Sequence, residues 1–222
     1  MEKFIEILQS PSNQNYSITV ENKEFQILRK LIQKGDTVID IGVNIGLYTL
    51  FFRSLVGKTG KVIAFEPNIT NFNLLKKSII FNKFENVTIF QKAVGNTNSH
   101  VKMKLTKDSG LTQISDSGSE EVDCIRLDDY VSSANFIKMD VEGYEIEVLK
   151  GMPNLLRQKI ILMSEFYVKL LKNHSSPVDF FTILKKNGFT CQDMRMEFQP
   201  ITESNFMSNY DENSGATDIL CR

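Results

Sequence analysis

The residues of this sequence that could do chemistry fall into two sets. The first is Asp40-Ile41-Gly42-Val43-Asn44-Ile45-Gly46, a glycine turn behind an acidic residue, with Glu66 following twenty positions after Gly46. A glycine turn at the carboxyl end of a strand is where open α/β sheets bind ligands. An acid closing the next strand is placed to take both ribose hydroxyls of an adenosine moiety. Together they describe a nucleoside pocket. A dinucleotide site needs G-x-G-x-x-G so that the pyrophosphate can approach the backbone, and Asn44 stands where its second glycine would be. S-adenosylmethionine has no phosphate, so a polar residue there can serve its amino-acid end. The spacing therefore favours the sulfonium cofactor over a nicotinamide dinucleotide. A glycine turn alone is as often structural as functional, and its pairing with Glu66 is what tips the reading.

The second set is acidic. Lys138-Met139-Asp140-Val141-Glu142-Gly143-Tyr144-Glu145 is followed, after another apolar run, by Glu165. Asp140 leaves one strand, Glu142 opens the next helix and Glu165 ends the following strand, so three acids converge on one sheet edge. Such carboxylates can take a proton from a hydroxyl acceptor or contact the substrate. They could also hold a hard cation such as Mg²⁺, but strand ends collect carboxylates for other reasons, and a site without metal is the expectation. Acids in a first helical turn gain about 0.3–1 kcal/mol from the helix dipole, a competing explanation for Glu142 and Glu145. Glu145 is expected to cap or to face solvent, and Lys138 to pair with an acid. His100 and His174 lie outside these motifs. No Cys-His or Ser-His arrangement supports covalent catalysis.

Positioning these residues takes a parallel sheet covered on both faces by helices, because short β-rich runs alternate with segments of helical period. Strands are expected at Thr37 to Ile41, Lys61 to Phe65, Asn86 to Gln91, Phe136 to Met139 and Lys159 to Met163. Phe189 to Gln192 and Thr217 to Cys221 supply two more. Helices are expected at Leu47 to Val56, where Phe51, Phe52 and Leu55 pack the core, and at Ile69 to Phe81, with Phe72, Leu75, Ile79 and Ile80 on one stripe. Two further helices fall at Tyr144 to Lys150 and Val178 to Asn187, and a short one opens at Leu127-Asp128-Asp129-Tyr130. Asn96 to Glu121 is polar and reads as an inserted hairpin or mobile loop. Arg195 to Gly215, with Phe198, Phe206 and Tyr210 spaced through it, has the length of a lid. With Met1 to Lys23, these are the regions expected to choose the acceptor.

Composition narrows the partners. The 222 residues suffice for one large core and show no break, so a single domain is expected. The formal net charge is −1, from 26 basic and 27 acidic residues mixed along the chain. That leaves no electrostatic footprint of a nucleic-acid or membrane-surface binder and points to a small-molecule partner. No export signal, membrane anchor or run of about eighteen apolar residues is visible. Cys124, Cys191 and Cys221 are odd in number and scattered, which fits neither a disulfide framework nor a metal knuckle and makes a reducing cytoplasm the expected compartment.

Four stretches, GDTVIDIGVNIGLYTL, GKVIAFEPN, VTIFQKAVGN and FIKMDVEGYEIEVLKGM, resemble the FkbM-type methyltransferases, a branch of the class I S-adenosylmethionine-dependent enzymes. The resemblance covers roughly residues 30 to 170, between an N-terminal extension and a C-terminal part from 171 to 222. Its K-x-D-x-E-G-x-E element is more specific than the glycine turn. It implies a three-layer α/β/α Rossmann-like methyltransferase fold with a mostly parallel seven-stranded sheet, an antiparallel C-terminal strand and an inserted hairpin. It also implies that Asp40, Gly42, Asn44 and Gly46 frame the methionine end and that Glu66 holds the ribose. Pro67 and Asn68 flank the adenosine, and Lys92, Ala93 and Val94 lie near the adenine. Tyr48 and Thr49 open the first helix, whose N-terminus suits a carboxylate, although Tyr48 reads equally well as a packed aromatic. Asp140, again beside the cofactor, Glu142 and Glu165 are the candidate catalytic residues. The implied reaction is O-methylation of a sugar, glycan intermediate or secondary metabolite. An NAD(P)-binding oxidoreductase and a non-catalytic cofactor-binding module are the alternatives. Val43 departs from the small residue usual in the family and is expected to crowd the loop.

Overall fold

The computed structural model describes residues 23–104, 112–195, 199–202, 205–206 and 209–222. In chain order the elements are α1 (Lys23–Leu31), β1 (Thr37–Ile41), α2 (Leu47–Val56), β2 (Lys61–Phe65), α3 (Ile69–Phe81), β3 (Val87–Phe90), β4 (Ala93–Gly95), β5 (Ser99–Lys104), β6 (Gln113–Ile114) and β7 (Glu120–Arg126). A 3₁₀ turn, Leu127–Asp129, leads to β8 (Phe136–Met139), α4 (Glu145–Lys150), α5 (Pro153–Leu156) and β9 (Ile161–Phe166). The chain then forms α6 (Val168–Leu171), α7 (Pro177–Lys186), β10 (Cys191–Asp193), β11 (Gln199–Pro200) and β12 (Thr217–Cys221).

The main sheet runs β3-β2-β1-β8-β9-β12-β10-β11. Its β3, β2, β1, β8 and β9 pair in parallel, while β9/β12, β12/β10 and β10/β11 are antiparallel. β1 lies inside, its Val38, Ile39 and Ile41 excluded from solvent on both faces. Such two-sided burial is why the central strands read as continuous apolar runs. On one face α1 and α2 pack Phe25, Leu28, Phe51 and Phe52 against Val38, Val62, Phe136 and Met163. The opposite face receives α4, α5 and α7 over Ile39, Ile41, Ile137 and Leu162. Phe52 is wholly buried, so truncation to Ala costs about 3–5 kcal/mol.

Several expectations are revised. Among the described residues the main sheet has eight strands, because Gln199–Pro200 adds a two-residue edge beyond the expected seven. The inserted segment is more than a hairpin: β4, β7, β5 and β6 form a second sheet in that order. Ala93 and Val94 consequently sit on β4, not at the end of β3. On α3, Leu75 and Ile79 are buried one turn apart, whereas Ile80 is 66% exposed, since a step of one residue rotates a side chain about 100° away. Leu127 to Asp129 makes only a 3₁₀ turn, and Asp128 there caps α5 by accepting from Asn154 N (2.7 Å) and Leu155 N (3.1 Å).

The cysteine expectation fails. Cys191 and Cys221 stand directly opposite on β10 and β12, with Cα atoms 4.1 Å apart, and form a disulfide; Cys124 is a buried free thiol. Thirty residues separate the pair in sequence, and only strand register brings it together, so the cysteines give no argument for a reducing compartment. Among the described residues no helix is long and apolar enough to cross a membrane.

Candidate active site

The carboxyl ends of β1, β2 and β8 open into a cleft of about 220 Å³. One end of it is organised by Glu66, which follows β2 and is 5% exposed. Its Oε2 accepts from the backbone N–H of Asn44 at 2.7 Å and its Oε1 from that of Asn68 at 2.9 Å. The Asn71 side chain adds a further bond. Glu66 thereby ties the β1 turn to the start of α3, whose first N–H groups, of Thr70 and Asn71, are capped by the Asn68 side chain. Burial outweighs these hydrogen bonds and pushes the Glu66 carboxyl up to about 7.

The turn after β1 owes its glycines to close neighbours. A Cβ on Gly42 would lie 1.7 Å from the Asp140 carbonyl oxygen, and one on Gly46 would lie 2.5 Å from Leu75 Cδ1; both residues also have positive φ. Asn44 shares the left-handed backbone region at φ 54°, which Asn tolerates better than most residues. It lines the cleft, and its buried Oδ1 meets no donor among the described residues. Val43 does not crowd the loop; its methyls turn into the core against Ala64, Leu75 and Ile79.

Asp40 lies beneath the cleft, fully buried, accepting from Thr49 Oγ1 at 2.6 Å. Burial raises its carboxyl, opposed by the neighbouring Lys138 ammonium and the Thr49 bond. Thr49 is thus occupied beneath the floor. Tyr48 packs on Phe25, donates its hydroxyl to Glu24 of α1 and carries Lys138 Nζ over its ring at 4.4 Å. Neither Tyr48 nor Thr49 lines the cleft, and Gly46 and Asn68 shape it from behind.

The far end of the cleft is acidic. Asp140, Glu142 and Glu165 line it with carboxylate oxygens within 4.8 Å of one another, a spacing able to hold a cation. Lys138, 3% exposed, donates to Asp140 Oδ2 at 2.9 Å. Burial alone would lower its ammonium, but Asp140 and Asp40 outweigh it and hold it above the usual lysine range. Glu142 has φ 54°, a rare conformation for a side chain of its type, held where Gly143 packs on the Leu170 backbone. Glu165, inside β9, is pushed up to about 9 by burial and then by Asp140, Glu142, Glu145 and Asp218. Glu145 caps the turn through the Val141 and Gly143 N–H groups at 3.1 and 3.3 Å. It is buried, so the solvent-facing alternative is wrong.

Between the two ends lie Phe65, Pro67, Lys92, Ala93 and Val94, with Met103, Thr112 and Ile114 from the second sheet and its flank. Lys92 is paired with Asp123 at 2.7 Å. Phe65, Asn71, Met103, Thr112 and Ile114 were not foreseen; the helical period could have placed Asn71 beside Glu66, but nothing local marks the others. In the expected lid, Phe206 and Tyr210 pack against Phe166 as core, and no described residue from 199 to 215 lines the cleft. Phe198 and 1–22 lie outside the described residues.

These residues fit a nucleoside carrying a charged amino-acid tail. Glu66 keeps one of its four acceptor sites after the Asn44, Asn68 and Asn71 bonds, Asn44 Oδ1 meets no donor among the described residues, and apolar walls flank the space between.

Comparison with known proteins agrees. The methyltransferase FkbM domain model matches residues 40–198. The hexuronic acid methyltransferase AglP of Haloferax volcanii is 28% identical over 156 residues, covering 66% of this chain and 62% of its own, so the chain spans less than two thirds of that relative. An rRNA methylase from Streptococcus thermophilus superposes with a TM-score of 0.53 at 13% identity, over 90% of this chain and 93% of that one. Aeropyrum pernix fibrillarin, solved with S-adenosyl-L-methionine, gives 0.52 at 11% identity over 90% and 73%. At these identities the two structures show a shared fold.

Proposed function

The chain belongs to the FkbM methyltransferase family, and from that premise we propose that it transfers a methyl group from S-adenosyl-L-methionine to a hydroxyl of a sugar, glycan intermediate or secondary metabolite. The observation carrying this reading is one cleft with a buried carboxylate, Glu66, at one end and Asp140, Glu142 and Glu165 at the other. The sulfonium supplies the electrophilic methyl. Glu66 would accept from a ribose hydroxyl, Asn44 Oδ1 from the ammonium of the tail, and Ala93 and Val94 would flank the purine. Lys138 orients Asp140 through their 2.9 Å bond.

Glu165 is the proton acceptor. With cofactor and acceptor bound, this carboxylate would take the proton of the acceptor hydroxyl. A base is best matched when its pKa is close to the working pH. Glu165 stands at about 9 in the free protein, and a positive charge held in the cleft would draw that value down. That AglP is a hexuronic acid methyltransferase supports a sugar acceptor, and the balanced charge of the chain supports a small one.

Calorimetry with S-adenosylhomocysteine tests the cofactor; absence of heat defeats the reading. A nicotinamide dinucleotide that binds instead would establish the oxidoreductase alternative. Cofactor binding with no transfer to a broad hydroxyl panel, and no effect of Asp140→Asn on any measurement, would establish the non-catalytic module.

A further inference from the structure

A second cavity, of about 390 Å³, adjoins the cofactor cleft and shares Glu142 and Glu165 with it. One wall is Lys104 and Gln113, directly paired across β5 and β6; the other is Tyr167 and Lys169, where β9 passes into α6. Lys104 and Lys169 are exposed, and neither ion-pairs with a described residue. The acid that feels Lys169, Glu212, is already held by Lys172 at 2.8 Å. At the floor Glu165 is half-buried where the cavity meets the cofactor cleft. The two ammonium groups thus stand on opposite walls at the outer side of the cavity, while Glu142 and Glu165 lie where it meets the cofactor cleft. An ammonium with no carboxylate partner can form a charge-assisted hydrogen bond with an anionic ligand group.

We propose that this outer cavity is the acceptor site and selects an anionic sugar, whose carboxylate or phosphate is held by Lys104 and Lys169 at the mouth while a ring hydroxyl reaches Glu165 at the junction with the cofactor cleft. The inference rests on the methyltransferase reading above and adds the acceptor's charge and seat. It also explains the second sheet, since β5 and β6 carry half of the site that reads the acceptor.

The test titrates D-glucuronate, D-glucose 6-phosphate and D-glucose into the protein saturated with S-adenosylhomocysteine, following backbone amide shifts. One or both anions should shift the amides of Lys104, Gln113, Tyr167 and Lys169 saturably and bind about tenfold or more tightly than glucose, as two charge-assisted contacts require. Which anion binds better separates carboxylate from phosphate recognition. The exposed double variant Lys104→Ala/Lys169→Ala should lose that preference and keep its S-adenosylhomocysteine affinity. Glucose binding as well as both anions, no sugar shifting these amides, or a double variant that retains the preference overturns the inference alone. Failure of S-adenosylhomocysteine to bind defeats the methyltransferase reading and this inference with it.

Discussion

Replacing Glu66 by Gln separates what this residue does for the cofactor from what it costs the fold. Each carboxylate oxygen already accepts one backbone N–H, from Asn44 at 2.7 Å and Asn68 at 2.9 Å, and the Asn71 side chain adds a third bond, so one acceptor site is left for a ribose hydroxyl. Gln retains one accepting oxygen, and its amide nitrogen must face one of those two N–H groups. Losing one hydrogen bond to a charged group removes about 1.5–3 kcal/mol, or about ten- to 150-fold in cofactor affinity. Against this, a carboxyl moved from 4.5 to about 7 is disfavoured in its charged form by about 3 kcal/mol. Above pH 7 the Gln variant escapes that cost while losing a backbone bond of similar size, so the cofactor-free protein should melt close to wild type. Calorimetry with S-adenosylhomocysteine at pH 8, beside thermal unfolding without ligand, reads both quantities. At pH 6 only about one Glu66 in ten is ionised in the free protein, so wild-type affinity should fall about tenfold from its value at pH 8, and the variant's should not. An affinity loss under about threefold, or equal pH dependence in the two proteins, would refute the assignment.

Other outcomes follow from the same geometry. Glu165→Gln should lower kcat by about 10²–10⁴-fold with little change in S-adenosylhomocysteine affinity; wild-type kcat/KM should climb from pH 7 toward 9 as Glu165 ionises, a rise the variant lacks. Addition of EDTA should leave the rate unchanged if Lys138 is the counter-charge of Asp140, and a loss restored by Mg²⁺ would assign the three acids to a cation. Lys138→Met leaves Asp140 and Asp40 without their cation and should cost about 3–5 kcal/mol in denaturant unfolding. Glu66, Glu145 and Asp218 stand at about 7 and Glu165 at about 9, above the values of unfolded acids. The folded state therefore binds protons more tightly, and cofactor-free stability should fall as pH rises from about 5 to 9, checked by calorimetric melting across that range. Cys191→Ala opens a loop spanning 30 residues and should cost about 3–4 kcal/mol on the chain-entropy model, seen as a lower Tm than the oxidised protein.

What the sequence determined by itself is the frame around the first site. Thr37–Ile41, Leu47–Val56, Lys61–Phe65 and Ile69–Phe81 fall where apolar period, turn glycines and the Asn68 cap put them, because those signals act over a few residues and here agree with the burial the sheet imposes. Glu66 was legible for the same reason, being fixed by its distance along a β-α-β unit. Tertiary structure decided what depends on register and on distant chain. It paired Cys191 with Cys221, sent Thr49 and Tyr48 under the floor to Asp40 and to Glu24, and turned Val43 into the core. It also brought Met103 and Ile114 over a cleft made by strands from elsewhere in the chain. The acidic end shows both contributions. Asp140 and Glu142 were marked by their motif, but the elevated Glu165 exists only because folding buries it beside Asp140, Glu142, Glu145 and Asp218, and mutual repulsion among buried carboxylates has no counterpart in an extended chain.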